Sequence, residues 1–350
     1  MSFQDIYGHE KQIRILQTSV MRNRVPHAYL FYGMRGVGKR TVAEAFAKAL
    51  NCETQRNSRT LPHTQDEGSP FDESKRTRFD SCGNCSSCVK TDRKNHSDVV
   101  TIKADGQFIR IKEIRDAQEQ MKFAPLEGGM RIFLMVDADR MNNISANALL
   151  KTLEEPSRSN LLILITSSPH QLPATILSRC QQVRFNPLRR DTIVSFLRDR
   201  LSMEPERANA IASSSGGSIG KSLEMSDDSY LALRDEIING ILQTDNTADP
   251  LRFLSMVSSF GKEREDIADS LNMLMTGYRD ALVYKETGDE DGLINQHCTD
   301  IIKSIARGLS GRDILHNIKS VDWAMHTIDQ NANKQLTLEV MLFKLIRHRK

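Results

Sequence analysis

Long apolar runs are missing from this sequence. Nowhere do about eighteen apolar residues follow one another, which argues against a membrane-crossing helix. An excess of one charge is missing too. Forty-eight basic residues face 45 acidic ones, a formal +3, so no general positive field advertises nucleic-acid binding. No stretch interleaves aromatic with basic residues as a single-strand groove would. The opening MSFQDIYGHEKQ has no basic segment leading into an apolar one, so no secretory signal is expected and the expected location is cytoplasmic. A disulfide framework is absent as well. Of six cysteines, four gather near one place and Cys180 and Cys298 stand apart, a pattern closer to a metal site with spare thiols.

What is present is an ordinary globular composition, 39% hydrophobic and 27% charged, in 350 residues, enough for two or three domains. Residues 10–22 place Ile13, Leu16 and Val20 at helical spacing. The apolar AYLFYG (28–33) leads into GMRGVGKRT (33–41) and then the helical TVAEAFAKAL. Strand, glycine-rich turn and helix are the context a phosphate-binding loop requires. Gly33, Gly36, Gly38 and Lys39 suit that loop, but Arg40 stands where a Ser or Thr hydroxyl would hold Mg²⁺. A guanidinium offers only donors and repels a metal. Thr41 carries a hydroxyl, but about 100° further round the helix.

Further along, DVVTIKA (98–104) predicts a strand and 111–121 a helix with Ile111, Ile114, Ala117 and Met121 on one face. RIFLMVD (131–137) and LLILITSS (161–168) read as buried strands, with a helix from about Ser145 to Glu154 between them, ending before Pro156. The alternation predicts an α/β unit with a parallel sheet over residues 1–186. Residues 187–229 predict a small helical portion that includes SSSGGSIGKSL, and 230–350 a larger helical one. Residues 53–81, polar and aperiodic, predict a surface excursion.

The strand at 131–136 ends in Asp137, where open α/β sheets place ligands. An ATPase of this kind has a glutamate next, to activate water; here Ala138 follows, and Asp139, on an extended chain, would point to the other side. Both parts needed for hydrolysis are altered. Binding of ATP or ADP is expected to be weak or without turnover, the alternative being a slow ATPase rescued by Thr41 and Asp139.

CGNCSSC (82–88) with Cys52 offers four thiolates, enough for a tetrahedral structural Zn²⁺ with no open position. Unliganded thiols or an iron–sulfur cluster are the rivals. His96 reads as a surface histidine rather than a ligand. Arg179, in LPATILSRC (172–180), reads by itself as a solvated charge or a carboxylate partner.

Together, PHAYLFYGMRGVGKRT (26–41), CGNCSSC, RIFLMVDADRMN (131–142), NALLKTLEEP (147–156) and LPATILSRC resemble the clamp-loader subunits of the AAA+ family. The resemblance covers residues 1–230 well, and the remainder by length and helicity. It implies three domains: an AAA+ P-loop domain with a four-cysteine zinc insertion (52–88), a small helical lid, and an all-α collar that builds a five-membered ring. It also implies gamma/tau and delta subunits as partners, a sliding clamp as the object loaded, and primed DNA reached through the assembly of a DNA polymerase III holoenzyme. Arg179 would then be a finger acting in trans on a neighbour's ATP, and Thr166 or Ser167 the sensor-1 residue. GGSIGK (216–221) falls near sensor 2 without its arginine, Lys221 being the nearest cation. Motor subunits keep the hydroxyl, the glutamate and that arginine; this chain lacks all three and keeps the finger, which implies a stator. A gamma/tau-type motor and a DNA-binding zinc protein are the alternatives. Lys112 and Arg115, on the polar side of the 111–121 helix, are a DNA-facing pair or a solvated face.

Overall fold

The computed structural model describes residues 1–60, 79–104, 106, 108–127, 129–157, 159–227, 257–261, 264–290, 292–295, 298–330 and 332–347. They form two compact units, Met1–Arg200 with Gly217–Gly220, and Leu201–Gly216 with Lys221–Lys350.

The first unit is built on five parallel strands: β1 (Ala28–Gly33), β2 (Val99–Ile102), β3 (Arg131–Val136), β4 (Asn160–Thr166) and β5 (Gln181–Phe185). Their order across the sheet is β2-β3-β4-β1-β5. Parallel strands need helical crossovers, and those helices cover both faces, so central strands become apolar throughout. All seven residues of β4 are buried. Side chains still alternate. Tyr29 and Phe31 of β1 join Ile132, Leu134, Ile163 and Phe185 on one face, under α2 (Lys39–Asn51). Leu30, Phe133, Met135 and Leu164 take the other face, under α5 (Ile111–Met121) and α6 (Asn143–Glu154).

Registers such as Leu30↔Leu164 and Leu134↔Ile163 bring the ends of β1, β3 and β4 to one edge. That edge carries the P-loop after β1, Asp137 after β3 and Thr166 at the end of β4. The α/β class with a parallel sheet expected from the sequence is the fold observed.

Three local expectations are corrected. Glu53–Thr60 is a helix, α3, rather than irregular chain, and Arg56 Nη1 donates to the Glu127 carbonyl at 2.6 Å. The rest of the proposed excursion, 61–78, lies outside the described residues. Residues 181–185, for which no element is expected from the sequence, are strand β5, paired to β1 with Phe31 opposite Val183. Helix α6 starts two residues early because the Asn142 side chain caps it, accepting from the Ser145 N–H at 2.8 Å.

The second unit has its own core, with Tyr278, Leu271, Ile302, Val321 and Met341 buried. Its long described helices are Arg264–Thr287, Thr299–Gly308, Gly311–Asp329 and Lys334–Arg347. Ser310 and Asp313 form a reciprocal capping box on the third. The expected helices at 230–256 lie outside the described residues. Among the described residues no helix is long and apolar enough to cross a membrane.

Candidate nucleotide and metal sites

Gly36 and Gly38 have φ of +70° and +109°, the left-handed region, and the N–H-lined turn runs into α2 with Gly38 at its N-cap. Each carbonyl from 33 to 37 has an internal partner. Lys39 Nζ donates to Gly33 O at 2.6 Å and Met34 O at 2.8 Å. Ser218 Oγ donates to Arg35 O at 3.0 Å, the Gly220 N–H to Gly36 O at 2.8 Å, and His9 Nε2 to Val37 O at 2.7 Å. With its carbonyls tied back, the loop leaves its N–H groups as those an anion would meet, the makings of a nest.

Residues 217–220 therefore lie as a strap against the loop. A Cβ on Gly36 would come within 2.4 Å of Ser218 Oγ, and one on Gly220 within 2.7 Å of Gly36 Cα. No side chain fits at Gly220 in this arrangement, arginine included. Lys221 belongs to the second unit.

Lys39 is only 7% exposed. Burial pushes its ammonium down to about 8, against the opposing pull of Asp137 and Asp139. Arg40 turns along α2 instead, its Nε donating to Glu44 Oε1 at 2.7 Å in an i,i+4 pair. Thr41 is half-buried one position further on.

Asp137 takes φ +53° and caps a short 3₁₀ turn over Ala138–Arg140. The chain is therefore not extended here, and the expectation that Asp139 points away is corrected. Asp139 Oδ1 accepts a hydrogen bond from the hydroxyl of Thr166, whose oxygen in turn accepts from the Ser168 N–H at 2.9 Å. Of the two sensor-1 candidates Thr166 is buried and in this network, while Ser167 is exposed. Ala138 is fully buried and offers no proton acceptor. Asp139 spends an oxygen on Thr166.

Arg179 follows the short helix α7 (Ala174–Leu177). Its Nη2 pairs with Glu154 Oε1 at 2.9 Å and its Nη1 donates to Thr175 O at 3.1 Å. The carboxylate alternative for this residue is the one realised. Lys112 and Arg115 are both exposed on α5.

The second site is built at the end of α2. Cys52 is its C-cap, Cys82 lies just before α4 (Ser86–Asp92), Cys85 is the N-cap of α4, and Cys88 is within it. The four sulfurs lie within 4.8 Å of one another, with Cys82–Cys88 at 3.9 Å and Cys85–Cys52 at 4.0 Å. A tetrahedron with Zn–S bonds of about 2.3 Å has edges of roughly 3.8 Å. Backbone N–H groups of Cys82, Cys85 and Cys88 point at the sulfurs of Cys52, Cys82 and Cys85, each at 3.4 Å, which supports thiolate charge. Burial works against ionising Cys82, but the Thr54 hydroxyl and the Asn84 and Cys85 N–H groups bring its thiol down to about 6. Burial pushes Cys88 up. The donor set fits a structural zinc, and the 30-residue step from Cys52 does not prevent it from joining the other three.

His96 is corrected: it is buried, not on the surface, and is no ligand. Its Nδ1 accepts from the Asp98 N–H at 3.0 Å, so Nε2 carries the proton towards Ser87 Oγ at 3.0 Å. Ser87 Oγ donates on to Asn51 O at 2.8 Å. With Lys48–Asp92 at 2.5 Å, this fastens the cysteine module to α2. His9, Ser218 and Glu154 were not singled out from sequence. The Gly-Gly-Ser run signalled the second; the third lay inside a quoted motif; the first had no signal.

A P-loop on a five-stranded parallel sheet, with an acid after β3 and a polar residue at the end of β4, defines an α/β fold of the P-loop class. Residues 8–189 match the family described as DNA polymerase III, delta subunit, and residues 229–347 the family described as its C terminal. The chain belongs to the DNA polymerase III delta subunit family. It is 29% identical to DNA polymerase III subunit delta' of Bacillus subtilis, over 95% of this chain and 94% of that one. It is 30% identical to subunit tau of the same organism, over 84% of this chain and 52% of tau, so the chain spans about half that relative's length. Subunit tau of Escherichia coli is 31% identical over 65% of this chain and 32% of its own.

Proposed function

We propose that the chain is a delta'-type subunit of a DNA polymerase III clamp loader, a stator that lends Arg179 to the ATP held by a neighbouring subunit. What carries the reading is an asymmetry. Arg40, paired to Glu44, stands where a metal-holding hydroxyl would, and Ala138 replaces a base, while the arginine of the S-R-C motif, Arg179, is kept and paired to Glu154. The match to delta' over nearly the whole of both chains supports it, whereas the tau matches stop at part of tau.

In this reading gamma/tau and delta subunits are the partners, residues 230–350 form the collar, and residues 187–229 the lid. The sliding clamp and primed DNA are met through the assembly, in the cytoplasm. Zinc is structural. Nucleotide, if held, sits in the nest of Gly33, Gly36, Gly38 and Lys39 without turnover. A guanidinium brought to a phosphoryl group stabilises charge that develops as the bond breaks.

The test is reconstitution with the motor subunits. Arg179→Ala should leave assembly intact and lower ATP turnover of the complex by on the order of a hundredfold or more. Unchanged turnover refutes the finger. The motor reading would require steady hydrolysis by this chain alone, abolished by Lys39→Ala.

A further inference from the structure

Helix α6 ends in Glu154 and Glu155, with Lys151 as the basic residue of its last turn. Negative charge at a helix C-terminus opposes the macrodipole, so an acid there weakens its own helix. A local preference broken in this way calls for a compensating contact elsewhere. For Glu154 the contact is Arg179: Oε1 accepts from Nη2 at 2.9 Å. The guanidinium is held from another side by the Thr175 carbonyl at 3.1 Å and Ser178 Oγ at 3.4 Å, both taking Nη1. Acceptors from two elements, α6 and the α7 turn, thus fix where the planar group lies.

We infer that Glu154 is the positioning residue for Arg179, orienting the guanidinium for the phosphoryl group of the neighbouring subunit; this rests on the finger reading. Arginine has five N–H donors, and the contacts above leave others open for phosphate oxygens. An arginine already confined in cis loses less rotamer freedom when it meets the phosphate. The pair is also half-exposed, a setting in which ion pairs hold weakly, so the carboxylate can orient the cation without withholding it. Glu154 itself touches no nucleotide. Its effect must therefore pass entirely through Arg179.

That dependence gives the test, a double-mutant cycle on the reconstituted complex with ATP turnover as the readout. Glu154→Ala should lower kcat on the order of tenfold with KM for ATP unchanged. Glu154→Gln, which keeps an acceptor oxygen, should recover most of the loss. Adding Glu154→Ala to Arg179→Ala should change nothing further. Size-exclusion profiles and melting temperatures of the variants should match the wild type. Should Arg179→Ala itself leave kcat unchanged, the finger reading falls and takes this inference with it. Should Arg179→Ala lower kcat while Glu154→Ala has no effect, or multiplies with it, the finger stands and the positioning role is overturned.

Discussion

Asp98, just before β2, and Arg131, the first residue of β3, form a buried ion pair at 3.1 Å that ties together the starts of the two strands. The Asp98 side chain is fully buried and that of Arg131 nearly so. Asp98 accepts from the Leu126 N–H at 2.9 Å, the Glu127 N–H at 2.8 Å and Arg131 Nε at 3.2 Å. Arg131 also donates to the Phe123 and Ala124 carbonyls. Burial alone would raise the Asp98 carboxyl; the Glu127 and Leu126 amides and the guanidinium outweigh it and hold it below the usual range. Asp98→Asn keeps the shape but turns one acceptor into a donor facing donors, and leaves a buried guanidinium without its counter-charge. The cost should be about 3–5 kcal/mol. For a unit of this size each kcal/mol lowers Tm by roughly 2–4 °C, so a drop of about 6–20 °C is expected. The single tryptophan, Trp323, lies in the second unit, so far-ultraviolet ellipticity is the readout. A depressed native carboxyl adds stability above its unfolded pKa and loses it as pH falls through the native one. The wild type should therefore lose stability on acidification more steeply than the variant. A variant that melts within about 2 °C of the wild type, with the same acid limb, would refute the reasoning.

The metal site should hold one zinc per chain; a chelator should release four reactive thiols and lower the melting temperature, and Cys52→Ser should weaken retention. Equal retention by that variant would exclude Cys52 as a ligand. Gly36→Ala forces a Cβ to 2.4 Å from Ser218 Oγ at a φ of +70°, and should cost about 1–3 kcal/mol. Ser218→Ala in the same chain relieves the overlap but not the backbone strain, so partial recovery by denaturant titration is the expected result and none would refute the overlap. Lys39 keeps its proton below about 8, so inorganic polyphosphate binding to the nest should fall as pH rises through 8. Affinity constant up to pH 10 would contradict it.

The central strands were legible because β1, β3 and β4 are buried on both faces and so read as continuous apolar runs. β5 was not. Gln181, Gln182 and Arg184 are exposed on this edge strand, leaving Val183 and Phe185 alone to signal it. The cysteine cluster was legible from spacing, and the P-loop from its glycines and context. The Gly-Gly-Ser run of the strap was legible but its place against the loop was not, because the contacts that put it there join residues more than 180 positions apart through backbone groups and one hydroxyl. Asp139 was misplaced because Asp137, one of the few non-glycine residue types that visit it, adopts a left-handed conformation that breaks the extended run of the strand. His96 was misjudged for a similar reason: its burial comes from Ser87 and Asp98, and a lone histidine among polar neighbours carries no sign of that.

Whether this chain consumes ATP by itself decides between stator and motor. Phosphate release by the purified chain with Mg²⁺ and ATP measures that directly. No release above a protein-free control is predicted, with or without Lys39→Ala. Sustained turnover that Lys39→Ala abolishes would mean that Arg40 and Ala138 do not disable the site, and that the chain is a motor rather than a stator.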